Sequence, residues 1–231
     1  MKRATLAAAM MIWLASVASA TAGTVVRFTI SGASFDVELY DETTPATVEN
    51  FLEYVSAGLY EGSVIHRSEP GFIWQGGGYY LDGDPVQAVP IATLSPVVNE
   101  PVHSNIRGTI AMAKIDGYPN SATSQWFFNL ADNSANLDSA NGGFTVFGHV
   151  LGNGMATLDL LSAFPVDDFS PYLGPYGAAF TNTPYYQLEE SEDRYPLVVQ
   201  GIAVVPVPEP STWALAAAGL AMVALRRRRK M

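Results

Sequence analysis

Two alternating runs open the central part of the chain. Val26, Phe28 and Ile30 fall on one side of Thr24–Ile30, Phe35, Val37 and Leu39 on one side of Ala33–Leu39, and only Ser31-Gly32 separates the runs. A period of two with a two-residue link predicts a β-hairpin. The period then changes. Thr44-Pro45 supplies a helix start, Thr as N-cap and Pro at the first helical position, and Val48, Phe51, Leu52 and Val55 recur at i, i+3, i+4 and i+7 before Gly58 ends the pattern. Shorter strand-like runs follow at Ser63–Arg67, Phe72–Gln75, Gly108–Ala113, Gln125–Leu130 and Thr145–Val150, each bounded by Gly, Pro or Asn, and Leu197–Val205 supplies a last one. A second helix is predicted over Gly154–Ala163, with Asn153 as its cap and Met155, Leu158 and Leu161 facing inward. Many short strands with two helices predict a mainly β fold, a closed or nearly closed antiparallel barrel. Tyr79–Val98 and Pro165–Tyr195 carry no regular period and are rich in Pro, Gly and Tyr, so both are expected to be long loops of the kind that move or carry function.

Composition narrows the class. With 231 residues, 48% of them hydrophobic, and no cysteine, the chain is long enough for one substantial domain and is neither disordered nor built on disulfides. Its 12 Lys and Arg against 22 Asp and Glu leave a net charge of −10, which disfavours nucleic acid as a partner. Seven of the bases lie at the extreme ends, so residues 21–210 hold five bases against all 22 acids, a balance of −17.

The ends read as addresses. Lys2-Arg3, an apolar run from Ala4 to Val17 and Ala18-Ser19-Ala20 form a secretory signal over residues 1–20, with cleavage by signal peptidase expected after Ala20. At the other end Pro208-Glu209-Pro210 precedes an apolar stretch from Trp213 to Leu225 and the basic cluster Arg226–Lys230. By physics alone this is a short stop-transfer segment with its bases on the cytoplasmic side. The triplet over residues 206–231 resembles the PEP-CTERM sorting signal of Gram-negative bacteria, which implies cleavage near Pro208–Pro210 by an exosortase-type protease. Residues 21–205 are then an extracytoplasmic domain, in the periplasm, the outer envelope or the extracellular matrix, reached through a precursor held transiently in the inner membrane.

Most kinds of chemistry find no support. His66, His103 and His149 lack metal-ligand spacing, no Gly-x-Ser-x-Gly elbow exists, and Gly152-x-Gly154 lacks the third glycine of a dinucleotide loop. Two segments stand out, His66–Gly78 and Ser124–Leu130. In the second, alternation sends Trp126, Phe128 and Leu130 toward a barrel interior and Gln125, Phe127 and Asn129 the other way. An exposed aromatic beside amides, with Arg67 and Gln75 on nearby strands, suits a peptide-binding surface. The bland alternative is that Phe127 packs under a loop and Arg67 pairs with one of many carboxylates.

The motifs Pro45-x-Thr47-Val48-x-Asn50-Phe51, Ile65-His66-Arg67, Gly71-Phe72-x-x-Gln75-Gly76-Gly77, Asn105-x-Arg107-Gly108-Thr109, Ala111-Met112-Ala113, Ser121-Ala122-Thr123-Ser124-Gln125-x-Phe127 and Asn136-Leu137-Asp138 occur in that order. Together with Phe147-Gly148 and Gly154-Met155 they cover residues 24–163, and they resemble the cyclophilin-type peptidyl-prolyl cis-trans isomerases. The resemblance implies an eight-stranded antiparallel barrel capped by two helices, Pro-containing polypeptide substrates, no cofactor or metal, and a monomer. It assigns catalysis to Arg67, Gln75 and Phe127, with Gln75 orienting the arginine and the substrate carbonyl. Phe72, Ile73, Phe127 and Leu137 correspond to the proline pocket, and Ala113, Lys114 and Gln125 to the groove for the residues before proline. Phe144 stands at the pocket rim where many relatives carry histidine. Asn136 stands where many carry an aromatic, so cyclosporin-like macrocycles are expected to bind weakly. A non-catalytic module that holds Pro-containing partners on the same scaffold is the second reading.

Overall fold

The first two alternating runs form the hairpin the pattern predicts. β1 (Val25–Ile30) and β2 (Ala33–Leu39) pair in register from Val25 opposite Glu38 to Ile30 opposite Ala33. Ser31 and Gly32 both take positive φ, 46° and 87°, the mirror-image turn whose twist matches that of the strands it joins. A serine tolerates the left-handed conformation here because it is anchored: its N–H donates to the Val198 carbonyl at 3.0 Å, and its Oγ accepts from the Val198 N–H at 3.0 Å.

The computed structural model describes residues 23–188, 192–206 and 219. Except for 219, these belong to one unit, Gly23–Val207. The predicted signal sequence and, apart from residue 219, the apolar tail from Trp213 to Leu225 lie outside the described residues, among which no helix is long and apolar enough to cross a membrane. The other strands of the main sheet are β3 (Arg67–Glu69), β4 (Ile73–Gly76), β7 (Thr109–Met112), β8 (Trp126–Asn129), β9 (Val146–Val150) and β13 (Val199–Val205). The intervening elements are β5 (Tyr79–Asp82), β6 (Gln87–Pro90), β10 (Val166–Asp167), β11 (Thr183–Gln187) and β12 (Arg194–Pro196).

The main sheet has eight antiparallel strands in the order β13-β1-β2-β9-β7-β8-β4-β3. It curls into a half-barrel, and the expected closure is corrected: β13 and β3, its two edges, form no ladder with each other. The cause lies in the segment predicted as a strand over Ser63–Arg67, of which only Arg67 is in one. Ser63 turns back on the Tyr60 carbonyl, Val64 N–H goes to Tyr79 and Ile65 N–H to Leu197, so alternate residues serve two neighbours. The gap is spanned only outside the ladders, by the isolated bridge of Val64 with Val198 and by the bonds that Gly62, Ser63 and Ile65 exchange with Val199 and Leu197.

Within the described part of Gly23–Val207, three α-helices form where two were expected. α1 (Pro45–Ser56) buries Thr47, Val48, Asn50, Phe51 and Tyr54, and the Phe51 ring lies 6.1 Å from Phe28 and 5.1 Å from Phe147. Thr44 precedes it without a side-chain cap. Glu100, far along the chain, does that work: its carboxylate accepts from the Ala46 and Thr47 N–H groups and from Thr47 Oγ1, placing negative charge at the helix N-terminus. α2 (Ser134–Leu137) is one turn, and α3 (Gly154–Ser162) buries Leu158 and Leu161.

The concave face carries the core. Phe28 stacks on Phe35 at 5.4 Å and meets Trp126 and Phe128 edge-on at 5.3 Å. Offset and edge-on pairs of this kind contribute roughly 0.5–1.5 kcal/mol each beyond their buried area. The stretches expected as irregular loops hold short pairings instead, β5 with β6 and β10 with β11 and β12. They pack on each other through Ala88, Leu173 and Phe180, a small core beside the sheet.

Candidate functional site

One rung of the sheet brings the candidate residues together on the face opposite the core. Arg67 on β3 lies opposite Gln75 on β4, Gln75 opposite Phe127 on β8, Phe127 opposite Ala111 on β7, and Ala111 opposite Val146 on β9. Directly opposed residues of adjacent strands share a face. With neighbouring strands about 4.8 Å apart, Arg67 stands two strand spacings, about 10 Å, from Phe127, with Gln75 between them. Two residues along, Glu69, Ile73 and Asn129 form a parallel row on the same face.

The floor is apolar. Ile73, Ala111, Phe127, Leu137 and Val146 form a buried cluster separate from the main core, edged by half-buried Phe72, Ala113, Phe144 and Tyr40. Phe127 is only 2% exposed, which corrects the expectation of an exposed aromatic. Alternation had its direction right; its cover comes from the chain that returns over it, where Leu137 joins the cluster and Phe144 meets the Phe127 ring edge-on at 5.8 Å.

A buried amide network holds these walls in place. Asn133 Nδ2 donates to the Phe72 carbonyl at 2.9 Å and to Asn129 Oδ1 at 2.7 Å. Asn129 Nδ2 donates to Thr109 Oγ1 at 2.9 Å and to Asn105 Oδ1 at 3.2 Å, and Asn105 Nδ2 donates to Asp138 Oδ1 and to the Phe144 carbonyl. The chain positions of Phe72, Leu137 and Phe144 are therefore linked through four polar side chains. Although burial opposes it, donation from the Asn105 N–H and side chain and from Ser104 holds the Asp138 carboxyl below its usual range. Of this network Asn105, Thr109 and Asp138 lay in recognised motifs; Asn129 and Asn133, four residues apart, were the available signal for the rest.

The polar side differs from expectation in its partners. Gln75 does lie beside Arg67 in register, but its Nε2 donates to Gln125 Oε1 at 2.9 Å. Arg67 Nε donates instead to Glu69 Oε1 at 3.4 Å, and the side chain stays 40% exposed. Sequence reasoning missed Glu69, and it missed Asn182, whose Nδ2 donates to the same Glu69 oxygen at 2.6 Å; nothing in the sequence pattern signalled Asn182. Lys114 does not project freely into the groove. Its Nζ bonds the Asn141 and Gly143 carbonyls and sits 4.8 Å over the Phe144 ring, and burial pulls its pKa below the usual lysine value. Asn136 is exposed on α2. Beneath β3, His66 is buried against Tyr79 and Phe180, and burial together with the nearby Arg67 charge holds its pKa down to about 4. Among the described residues no group of three His, Asp or Glu could hold a metal ion.

A buried apolar cluster beside a half-exposed guanidinium and a pair of linked amides offers hydrogen bonds and a hydrophobic surface, without a nucleophile paired with a base among them. Comparison with known proteins agrees with that chemistry. A family model described as cyclophilin-type peptidyl-prolyl cis-trans isomerase matches residues 25–175, and one described as the PEP-CTERM protein-sorting motif matches residues 206–230. Peptidyl-prolyl cis-trans isomerase A of Dickeya dadantii is 40% identical over 158 residues, 67% of this chain and 79% of the relative. Peptidyl-prolyl cis-trans isomerase B of Escherichia coli is 36% identical over 141 residues, 58% of this chain and 82% of the relative. The crystal structure of a cyclophilin-type isomerase from Cryptosporidium parvum aligns at a TM-score of 0.56 and 21% identity, over 80% of this chain and 99% of that one, a likeness of fold.

Proposed function

The chain belongs to the cyclophilin-type peptidyl-prolyl cis-trans isomerase family, and from that premise we propose that it is an exported enzyme that speeds X-Pro isomerisation in envelope or secreted proteins. The observation that carries the reading is the rung itself: Arg67, Gln75 and Phe127 in register on one face, beside a separate apolar cluster.

Rotation about an X-Pro bond is slow because amide resonance sets a barrier of about 20 kcal/mol. Catalysis then requires only that the site bind the twisted amide more tightly than the planar one. The proline ring sits in the pocket of Phe72, Ile73, Phe127 and Leu137, with Phe144 at the rim, and is held while the preceding carbonyl rotates. Twisting localises the lone pair on the prolyl nitrogen, and the Arg67 guanidinium donates to it, a contact that is absent from the conjugated ground state. Gln75 and Gln125, tied to each other, present their remaining amide groups to the peptide along with the backbone at Ala113 and Lys114.

Export is part of the proposal. Signal peptidase removes residues 1–20, and the sorting motif at 206–230 directs processing by an exosortase-type protease at the inner membrane. The deciding experiment measures isomerisation of an X-Pro peptide by the purified chain and by Arg67→Ala. Loss of one transition-state hydrogen bond from a preorganised donor predicts a fall of about 10²–10³-fold in kcat/KM. Equal accelerated rates would sink the enzymatic role of Arg67, and rates at the uncatalysed background for both would favour a module that binds proline peptides without turnover.

A further inference from the structure

Arg67 stands on the weakest strand of the sheet. β3 has three residues and forms one edge of an open half-barrel, so only β4 pairs with it along a ladder, and nothing in that ladder fixes the direction of a long flexible side chain. The segment Phe180–Thr183 occupies the other side. Asn182 forms a bridge with Arg67, its carbonyl accepts the Ser68 N–H at 2.8 Å, and Thr183 Oγ1 donates to the His66 carbonyl at 3.0 Å. This backbone docking places the Asn182 side chain at Glu69, and a single oxygen, Glu69 Oε1, accepts from both Asn182 Nδ2 at 2.6 Å and Arg67 Nε at 3.4 Å.

We propose that Glu69 and Asn182 are positioning residues for Arg67, so that the 165–188 segment acts as a brace for the arginine of the site. The inference rests on the role assigned to Arg67 above. A carboxylate two residues from an arginine on the same face is free to form the two-pronged pair, in which Nε and one terminal nitrogen bond both oxygens. That pairing would withdraw the guanidinium from a ligand. Asn182 counters it by holding Oε1 at 2.6 Å and fixing the carboxylate plane, so that Arg67 shares that oxygen through Nε alone. The terminal NH2 groups of Arg67 make no hydrogen bond to other described residues and stay available to the twisted amide. Gln75, the other side chain able to steer the arginine, is bonded to Gln125.

The test compares the full chain, solubilised in detergent, with Asn182→Ala, Glu69→Ala, Glu69→Gln and the Asn182→Ala/Glu69→Ala double variant. It measures kcat and KM on an X-Pro peptide and follows the Arg67 Nε–H resonance by NMR. Misplacing a catalytic group by about 1 Å can cost up to 10²-fold, so Asn182→Ala and Glu69→Ala should each lower kcat about ten-fold with KM little changed. Glu69→Gln keeps an acceptor for both donors and should stay within about three-fold of wild type. The double variant should be no slower than Glu69→Ala, because Asn182 acts through Glu69. The Nε–H resonance should shift in both alanine variants. The backbone bond from Asn182 to Ser68 survives substitution; if Asn182→Ala melts early, Asn182→Asp, which keeps the size but repels Glu69, should show the same kcat loss. Wild-type kcat in Asn182→Ala, or losses that add in the double variant, would overturn the brace while leaving Arg67 catalytic. Wild-type kcat in Arg67→Ala, run alongside, would instead overturn the functional reading and the brace with it.

Discussion

His66 offers a prediction whose size follows from its surroundings. The imidazole is 2% exposed, wedged between Tyr79 at 5.2 Å and Phe180 at 5.9 Å, and its Nδ1 is buried without a hydrogen-bond partner. Burial and, second, the charge of Arg67 hold its pKa down to about 4, against weaker upward pulls from the Val64 backbone and the Gln125 side chain. In the unfolded chain a histidine titrates near 6.5. Between pH 6.5 and 4 the unfolded state therefore binds a proton that the folded state refuses, so folding stability is full above pH 6.5 and falls as the solution is acidified. At up to 1.36 kcal/mol per pH unit the loss comes to about 2 kcal/mol at pH 5 and about 3 kcal/mol at pH 4. Urea unfolding at pH 7, 6, 5 and 4 reads this directly, with His66→Gln as the comparison. The variant starts less stable, having lost the packing of the ring, but its stability should decline less on acidification, by about 2 kcal/mol between pH 7 and 5. Asp36, Asp132, Asp138 and Asp168, whose carboxyls are held below the usual range, lose their contribution only at lower pH, so they do not blur that window. Parallel curves for the two proteins, or an NMR titration placing His66 near pH 6, would refute the reasoning.

Three further perturbations test other parts of the structure. Asn133→Ala removes the donor shared by the Phe72 carbonyl and Asn129 and leaves buried acceptors unpaired; it should cost about 1–3 kcal/mol in urea unfolding and raise KM for an X-Pro peptide. Phe127→Ala empties the pocket floor; it should cost at most about 3–5 kcal/mol of stability and lower kcat/KM through both parameters, measured by isomerisation kinetics alongside thermal melting. Glu100→Ala strips the remote cap from α1; a loss of about 1–2 kcal/mol with unchanged kcat/KM is expected, since α1 touches the core and not the rung.

What was legible in the sequence was whatever neighbours along the chain decide. Alternation and a two-residue turn specified β1 and β2, and the Thr-Pro start with its helical spacing specified α1. The face on which Phe127 lies followed from the same alternation. What alternation could not supply was the other side of each contact. Phe127 is buried because Leu137 and Phe144 return over it. The α1 cap comes from Glu100, 53 residues from Thr47. The β5–β6 hairpin carried no single apolar face because Tyr79, Leu81 and Ala88 face Leu173 and Phe180 while Tyr80 packs on the main core. The motifs picked out Arg67, Gln75 and Gln125 as residues, and geometry redistributed their bonds: the two glutamines pair with each other and the arginine turns to Glu69.

The same openness that corrects the barrel gives the late part of the chain its place. A short edge strand leaves backbone donors and acceptors on one side, and proteins cover such edges to prevent mispairing. In this chain the cover for β3 comes from Phe180–Thr183, through the bond from Ser68 to Asn182 and the bond from Thr183 to His66. Covering the edge also brings Phe180 against His66 and Asn182 against Glu69, so stability of the edge, neutrality of the buried histidine and direction of the arginine share one structural cause. Removing the side chain of Phe180 should then disturb all three together. Phe180→Ala is expected to raise the His66 pKa by admitting water, to lower stability by about 3–5 kcal/mol, and to shift the Arg67 Nε–H resonance. A Phe180→Ala chain that lost stability with both the His66 titration and the Arg67 resonance unmoved would show that the edge cover and the site are independent.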